Sequence, residues 1–188
     1  KIFGIGSHII YPLNNLKPLK TKSFSNSHSK ELKLIILGHL RDVEIENINA
    51  LIKTILITKR KTIIDVIGRN KPYYKKIIRS KFLKLNFHGW VDELKLNEIL
   101  LNADFGYVPY SFREDLKPFT LTSFPNKLTT FYKYKLPILG HSLENSSIDL
   151  FIKKYNCGLN INSLENSEIA IQIENLIEKK EEFYLEYD

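Results

Sequence analysis

The sequence predicts an α/β fold: a Rossmann-like, doubly wound and mainly parallel sheet. Three observations carry this. Short runs of continuous apolar residues recur along the chain, as at 34–37 and 63–67; runs without polar alternation mark strands buried on both faces. Several end at a glycine or a proline: Gly38, Gly68, Gly89 and Pro109. Between them lie segments whose apolar residues recur at three- and four-residue spacing, the sign of helices with one buried face. Strand and helix alternate about six times, and right-handed crossovers between parallel strands leave few arrangements other than a doubly wound sheet.

Taken in order, residues 1–31 read as a strand end and an interdomain linker. Ile9, Ile10 and Tyr11 form a short apolar segment, and 12–29 is rich in Ser, Asn and Lys. Gly4-Ile5-Gly6 is a lone GxG with no helix pattern after it. The domain occupies 32–180. Its first strand, 34–37, stops at Gly38, and Ile45, Ile48, Leu51, Ile52, Ile55 and Leu56 then follow helical spacing. A second strand, 63–67, stops at Gly68. Residues 74–82 read as a charged helix, and Leu83, Leu85 and Phe87 alternate into a third strand ending at His88-Gly89-Trp90. A short helix follows at 93–101, a strand at 105–108 stopped by Pro109, and the unit 121–140: a polar turn at Thr122-Ser123, a short helical run, and an apolar strand ended by Gly140. A helix at 148–155, a strand at 158–161 and a helix at 168–179 complete the domain, with 181–188 as a tail.

The 188 residues suffice for one α/β domain with a full core. Hydrophobic residues at 43% and charged ones at 26% are ordinary for a soluble globular chain. No apolar run approaches the roughly 20 residues of a membrane span, and no signal-peptide pattern opens the chain. The single Cys157 excludes an internal disulfide and fits a reducing, cytoplasmic location. There is no methionine, not even at position 1, so the sequence reads as part of a longer or processed protein.

The net charge of +7 points to nucleic acid, anionic lipid or a phosphorylated small ligand as partner. Basic residues gather at 53–61 and 71–84, the second group interleaved with Tyr73, Tyr74 and Phe82. A nucleic-acid surface has that composition. A solvated helix face in a lysine-rich chain accounts for it more simply, so no nucleic-acid partner is expected.

The stretch at 121–139, LTSFPNKLTTFYKYKLPIL, carries the most chemistry. Pro125 suits the first turn of a helix, because its fixed φ fits there and its missing N–H is not needed. Such a turn exposes backbone N–H groups at the positive end of the helix dipole, and Lys127 adds a full charge. A hydroxyl, open amides and an ammonium together suit an anion, most naturally a phosphate. A capped helix with a solvated lysine is the plain alternative.

The carboxyl edge of the predicted sheet would collect Gly38-His39-Leu40-Arg41, Gly68-Arg69-Asn70, His88-Gly89-Trp90-Val91, Tyr110-Ser111 and 123–127. In the phrases LKLIILGHL, TIIDVIGRN, LNFHGWV, ADFGYVPYS, SFPNKLTTFYKYKLPIL and YNCGLNI, the chain resembles the C-terminal, nucleotide-sugar-binding domain of GT-B type glycosyltransferases of the group 1 kind, over about 32–179. The resemblance implies a metal-independent transfer of sugar from a nucleotide-diphospho-sugar to an acceptor hydroxyl. The donor is a substrate, and no cofactor is implied.

Carried over residue by residue, Gly38 lets backbone approach the diphosphate, and His39 and Arg41 follow it in the same turn. Gly89, Trp90 and Val91 lie where the base is held, with core packing as the alternative for Trp90. Tyr110 closes the fourth strand. Ser123, Pro125, Asn126 and Lys127 match the phosphate-binding turn. Lys127 and Arg41 are the implied catalytic cations, offsetting charge on the leaving group. No metal ligand set is expected: the chain has no Asp-x-Asp, and His39 and His88 lack neighbours at zinc-like spacing. The implied partners are the donor, a glycan or lipid-linked acceptor, a missing N-terminal domain, and a weak peripheral contact with anionic membrane.

Three positions depart from the family pattern. Thr130 stands where many members carry a glutamate that binds the ribose; a hydroxyl can hydrogen-bond there without a charge-assisted pair. Glu44 falls near a lysine that helps hold the diphosphate, and Lys135 replaces a glycine before the strand. These changes leave two other readings open, a non-catalytic module of the same fold and a sugar-nucleotide epimerase.

Overall fold

The computed structural model describes residues 31–69 and 80–185. Six strands form one sheet: β1 (Leu32–Leu37), β2 (Thr62–Ile67), β3 (Leu83–Gly89), β4 (Phe105–Pro109), β5 (Ile138–His141) and β6 (Gly158–Ile161). Their order is β3-β2-β1-β4-β5-β6, and every pairing is parallel. Seven α-helices accompany them among the described residues: α1 (Ile45–Thr58), α2 (Glu93–Asn102), α3 (Lys117–Thr122), α4 (Lys127–Lys133), α5 (Ser147–Tyr155), α6 (Asn166–Glu178) and α7 (Lys180–Leu185). Short 3-10 turns at Asp42–Glu44 and Glu114–Leu116 lead into α1 and α3.

Helices cover both faces, which explains the apolar runs. Leu34 and Ile36 of β1 face one core with Ile48, Leu51, Ile52 and Ile55 of α1 and Ile169, Ile173 and Leu176 of α6. Ile35, between them, faces the other core with Leu100 of α2, Leu128 and Phe131 of α4, and Ile148 and Phe151 of α5. Each such side chain contributes about 1.5–3 kcal/mol on burial, and β1, like β2, β4 and β5, feeds both cores. Helix ends follow local chemistry. Asp92 caps α2 by accepting the Lys95 N–H at 2.8 Å, and Ser146 caps α5 by accepting the Asp149 N–H at 3.2 Å.

Four details differ from the sequence reading. Residues 80–82 are not helical: Ser80 forms a bridge and 81–82 a turn, while 74–79 lie outside the described residues. Thr122, expected in a polar turn, ends the unforeseen helix α3. The strand expected to stop at Gly140 continues through His141. Packed structure also runs past residue 180, because Phe183 of α7 enters the first core and Lys180 pairs with Asp104 at 2.6 Å. The segments 1–30, 70–79 and 186–188, including the lone GxG, Asn70 and most of the second basic cluster, lie outside the described residues; Lys81 and Lys84 are exposed. No described helix is long and apolar enough to cross a membrane.

Buried polar groups tie the carboxyl ends of the strands together. The Asn47 side chain on α1 donates to the carbonyls of Tyr110 and His141, both at 2.9 Å, joining the ends of β4 and β5 to the helix. His141 is fully buried; its Nε2–H donates to the Ser163 carbonyl at 2.7 Å, and its Nδ1 lies 2.8 Å from the Tyr107 hydroxyl. A carbonyl only accepts, so this fixes the neutral tautomer with Nδ1 as acceptor. Burial pushes the His141 pKa down to about 4, with the Ser163 contact opposing.

An unfolded histidine binds its proton near pH 6.5, so between about pH 6.5 and 4 the unfolded state holds the extra proton and folding weakens as pH falls. Urea unfolding followed across this window should show a stability loss of roughly 3 kcal/mol. His141→Gln, which cannot titrate, should be less stable at pH 7 yet flatter below it. Equal slopes for the two proteins would assign the acid sensitivity elsewhere.

Candidate active site

In the strand order β3-β2-β1-β4, the chain moves outward from β1 through β2 to β3 and then returns through α2 to β4 on the other side of β1. The crevice beyond the carboxyl ends of β1 and β4 is therefore uncovered, the place where open α/β sheets take ligands. A cleft of about 390 Å³ lies there, lined by His39, Arg41, Asp42, Ser111, Leu116 and Phe119.

Backbone geometry builds its floor. Gly38 (φ +91°) donates its N–H to Ile67 at 2.8 Å, and Gly68 (φ +135°) donates to Gly89 at 2.8 Å, so three strand ends are stitched in a row. A Cβ on Gly68 would lie 2.5 Å from the Gly38 carbonyl oxygen, whereas one on Gly89 (φ +69°) would meet nothing. The His39 ring donates through Nδ1 to the Arg69 carbonyl at 3.1 Å.

One wall is a ladder of side chains. Glu44, 1% exposed, accepts from the Arg41 Nε at 3.2 Å and Nη2 at 2.8 Å on Oε1, and from the Arg41 backbone N–H at 3.2 Å on Oε2. The guanidinium, with its side chain 41% exposed, lies 5.2 Å from the centre of the Phe119 ring. Phe119 packs at 5.7 Å against Tyr110, whose hydroxyl is 3.4 Å from the Ser123 hydroxyl. Burial raises the Tyr110 pKa, against lowering by Ser123 and Arg41. Lys127 is partly buried and, among the described residues, makes no hydrogen bond or ion pair. Burial holds its pKa below the usual lysine value, while the charge of Glu44 raises it and that of Arg41 lowers it.

The sequence-predicted residues thus fall into two groups. Gly38, His39, Arg41, Tyr110, Ser123 and Lys127 gather around the ends of β1 and β4. Gly89, Trp90 and Val91 follow β3, two strands away from β1, or about 10 Å at the usual strand spacing. Trp90 is 81% exposed, which excludes the core-packing alternative, and Val91 packs against the second core.

Pro125 is not in the first turn of α4. The helix begins at Lys127, and the Pro125 carbonyl accepts the Leu128 N–H at 3.0 Å. A fixed φ suits this lead-in turn as well as a first helical position. Asn126 is exposed and its side chain caps nothing; its carbonyl accepts the Thr129 hydroxyl at 2.7 Å. Ser123 ends α3 rather than starting α4, and Thr130 is partly buried on α4. With α4 only seven residues long, its dipole is small, so the positive field here comes mainly from Lys127 and Arg41.

Sequence reasoning missed Phe119, Leu116 and Asn47. A Pro-Phe pair in a short helix carries no periodic signal, and an asparagine within an apolar helix stripe gives no hint of its partners. Glu44 did have a signal: an acid three residues after an arginine, at a helix start, is the spacing of a reciprocal cap.

No protein-family model matches the sequence, and no curated protein matches it. Solved structures do. WaaG, a glycosyltransferase involved in lipopolysaccharide biosynthesis, is 14% identical with a TM-score of 0.55, over 85% of this chain and 41% of its own. The spinosyn rhamnosyltransferase SpnG, complexed with thymidine diphosphate, is 9% identical with a TM-score of 0.53, over 85% of this chain and 40% of its own. This chain has the Rossmann-like fold of GT-B glycosyltransferases. A Listeria monocytogenes protein described as a UDP-N-acetylglucosamine 2-epimerase is 8% identical with a TM-score of 0.51, again over 85% and 40%. The chain spans about two fifths of each of these GT-B and related structures.

The two glycines of the floor can be told apart. Gly68→Ala meets both a disfavoured φ and a backbone oxygen, and should destabilise by about 2–4 kcal/mol. Gly89→Ala meets only the left-handed φ and should lose about 1–2 kcal/mol. Chemical denaturation of both variants checks the order; Gly89→Ala as the more damaging would contradict this floor geometry.

Proposed function

We propose that this chain is the donor-binding half of a metal-independent glycosyltransferase, taking a nucleotide-diphospho-sugar and passing its sugar to an acceptor hydroxyl. The observation that carries the reading is the cleft at the uncovered switch point of the sheet, with Arg41 in its wall and Lys127 near enough to feel its charge, in a fold whose solved likenesses include a rhamnosyltransferase holding thymidine diphosphate.

In the reaction, the bond from the anomeric carbon to the phosphate oxygen breaks and its electron pair stays on that oxygen. The acceptor oxygen bonds to the same carbon and gives up its proton. Negative charge grows on the diphosphate, and fixed cations in a partly water-excluded site stabilise it. Lys127, which has no protein partner among the described residues, is the group most available for that charge. Arg41 keeps one edge of its fork on Glu44 and leaves the other N–H groups for a ligand. Gly38 allows close approach of backbone, and Trp90 offers an open ring to a base.

A second domain would supply the acceptor side, since the chain spans only 41% of WaaG. The reading takes a glycan or lipid-linked acceptor and a cytoplasmic setting with it, and weak attraction to anionic membrane accords with the +7 charge. The likeness to the epimerase-described protein supports the second reading, epimerisation of a nucleotide sugar by the same donor site. Incubation with nucleotide sugars separates them: an epimerase converts the sugar with no acceptor present.

If Lys127 meets the diphosphate, its charge-assisted contact contributes about 1.5–3 kcal/mol. Lys127→Ala should then weaken nucleoside-diphosphate binding roughly ten- to more than a hundredfold. Nucleosides without phosphate should bind unchanged. Calorimetric titration with UDP, GDP and ADP beside the matching nucleosides makes the measurement. Equal affinity of wild type and variant for the best diphosphate removes Lys127 from the site.

A further inference from the structure

Arg41 and Glu44 follow the end of β1, Lys127 begins α4 near enough to feel both, and of the three only Glu44 is fully buried. It uses both carboxylate oxygens on Arg41 and cannot turn out to solvent without abandoning three hydrogen bonds. Lys127 feels both charges. Two cations against one buried anion leave a single net positive charge at this end of the sheet, with Arg41 itself in the cleft wall. Asp42 also lines the cleft, but it is exposed, where water and salt screen it. A buried charge is screened far less.

We propose that Glu44 is a specificity-determining residue of the donor site, setting its charge so that the intact diphospho-sugar is held and the nucleoside diphosphate left after transfer is released. The inference rests on the donor-site reading above. A diphosphate esterified at both ends carries two negative charges. Once the sugar leaves, the terminal phosphate gains a second ionisable oxygen with a pKa of about 6, and above that pH carries a further charge. A site with two uncompensated cations favours the more highly charged product. Glu44 reduces that preference while its oxygens keep the Arg41 fork oriented beside Phe119.

The test compares binding of UDP, GDP and ADP with their diphosphoglucose esters at pH 8 and low salt, using the full chain. In Glu44→Gln the side-chain carbonyl still accepts from Arg41, but one negative charge is gone. A unit charge about 10 Å from the extra phosphate charge, at an effective dielectric of about 20–40, alters the preference for free diphosphate over its ester roughly four- to twentyfold. Glu44→Gln should shift the Kd ratio by that factor toward the free diphosphate, and 0.3 M salt should shrink the shift, an ionic strength of roughly three times 0.1 M.

Lys127→Gln removes a cation and should move the ratio the other way. If Glu44→Gln alone gives no folded chain, the double variant Arg41→Gln with Glu44→Gln decides the matter, keeping the wild-type ratio if Glu44 cancels the Arg41 charge and shifting like Lys127→Gln if it does not. A merely structural Glu44 would lower stability and leave the ratio alone. An unchanged ratio in the folded Glu44→Gln chain overturns the charge-setting role while the donor site stands. Wild-type chain that binds diphosphates and esters no better than nucleosides overturns the donor reading, and this role with it.

Discussion

Reversal of the chain's path between β1 and β4 is the constraint on which the rest of the molecule depends. On each side of that point, right-handed crossovers lay helices against the sheet faces, and the parallel strands are buried on both sides. At the point itself no crossover closes over the strand ends. Turns after β1 and β4 must face outward with part of their backbone polar groups unpaired or capped by side chains. Asn47 shows the demand directly: it spends both amide hydrogens on the carbonyls of Tyr110 and His141, and its own oxygen stays unpaired and buried. The crevice and the polar groups around it are consequences of topology before they are consequences of any ligand.

Placing charge at such a point has its own requirements. Glu44 is almost fully buried, and a buried carboxylate needs a cation and good hydrogen-bond geometry to offset its lost hydration. Arg41 supplies both, through its side chain and its backbone N–H. The pair in turn fixes where the guanidinium lies, against Phe119, and so the shape of the cleft wall. Lys127 reaches the same region from α4, far along the chain, with neither contact. The two cations therefore differ in kind: Arg41 is oriented by hydrogen bonds to Glu44, while the Lys127 ammonium has none among the described residues.

Sequence periodicity made most of the fold legible, because both-face burial writes itself as apolar runs and one-face burial as helical spacing. The helices α1, α2, α5 and α6 were all visible in this way. What stayed hidden lacked periodicity. Helix α3 is six residues with a proline and two threonines, and α7 has Phe183 as its anchor among charged neighbours. The site was legible where backbone chemistry demanded a residue type, as at Gly38, Gly68 and Gly89, all at positive φ. It was not legible where burial reversed the ordinary tendency of a residue. Charged Glu44 is inside and apolar Trp90 outside, each against its type. Pro125 could serve either a first helical turn or the turn before it, and composition does not separate the two.

The departures from the family pattern carry unequal physical weight. Lys135, standing for a glycine, adopts φ +49°, a left-handed conformation that disfavours a side chain by about 1–2 kcal/mol. Its carbonyl-to-amide turn still closes, with its N–H on Tyr132 at 3.0 Å, so the loss is one of stability and leaves the strand that follows in register. Thr130 keeps a hydrogen-bonding group but no charge, which removes strength from a contact without reversing its sign. Glu44 is different, because it replaces attraction with repulsion for any anion in the crevice. The acid is buried against its desolvation because three donors from Arg41 hold it. The buried pair is maintained by contacts that also aim Arg41 at the cleft. Repulsion and orientation therefore come from the same carboxylate, which also closes the reciprocal cap at the start of the helix.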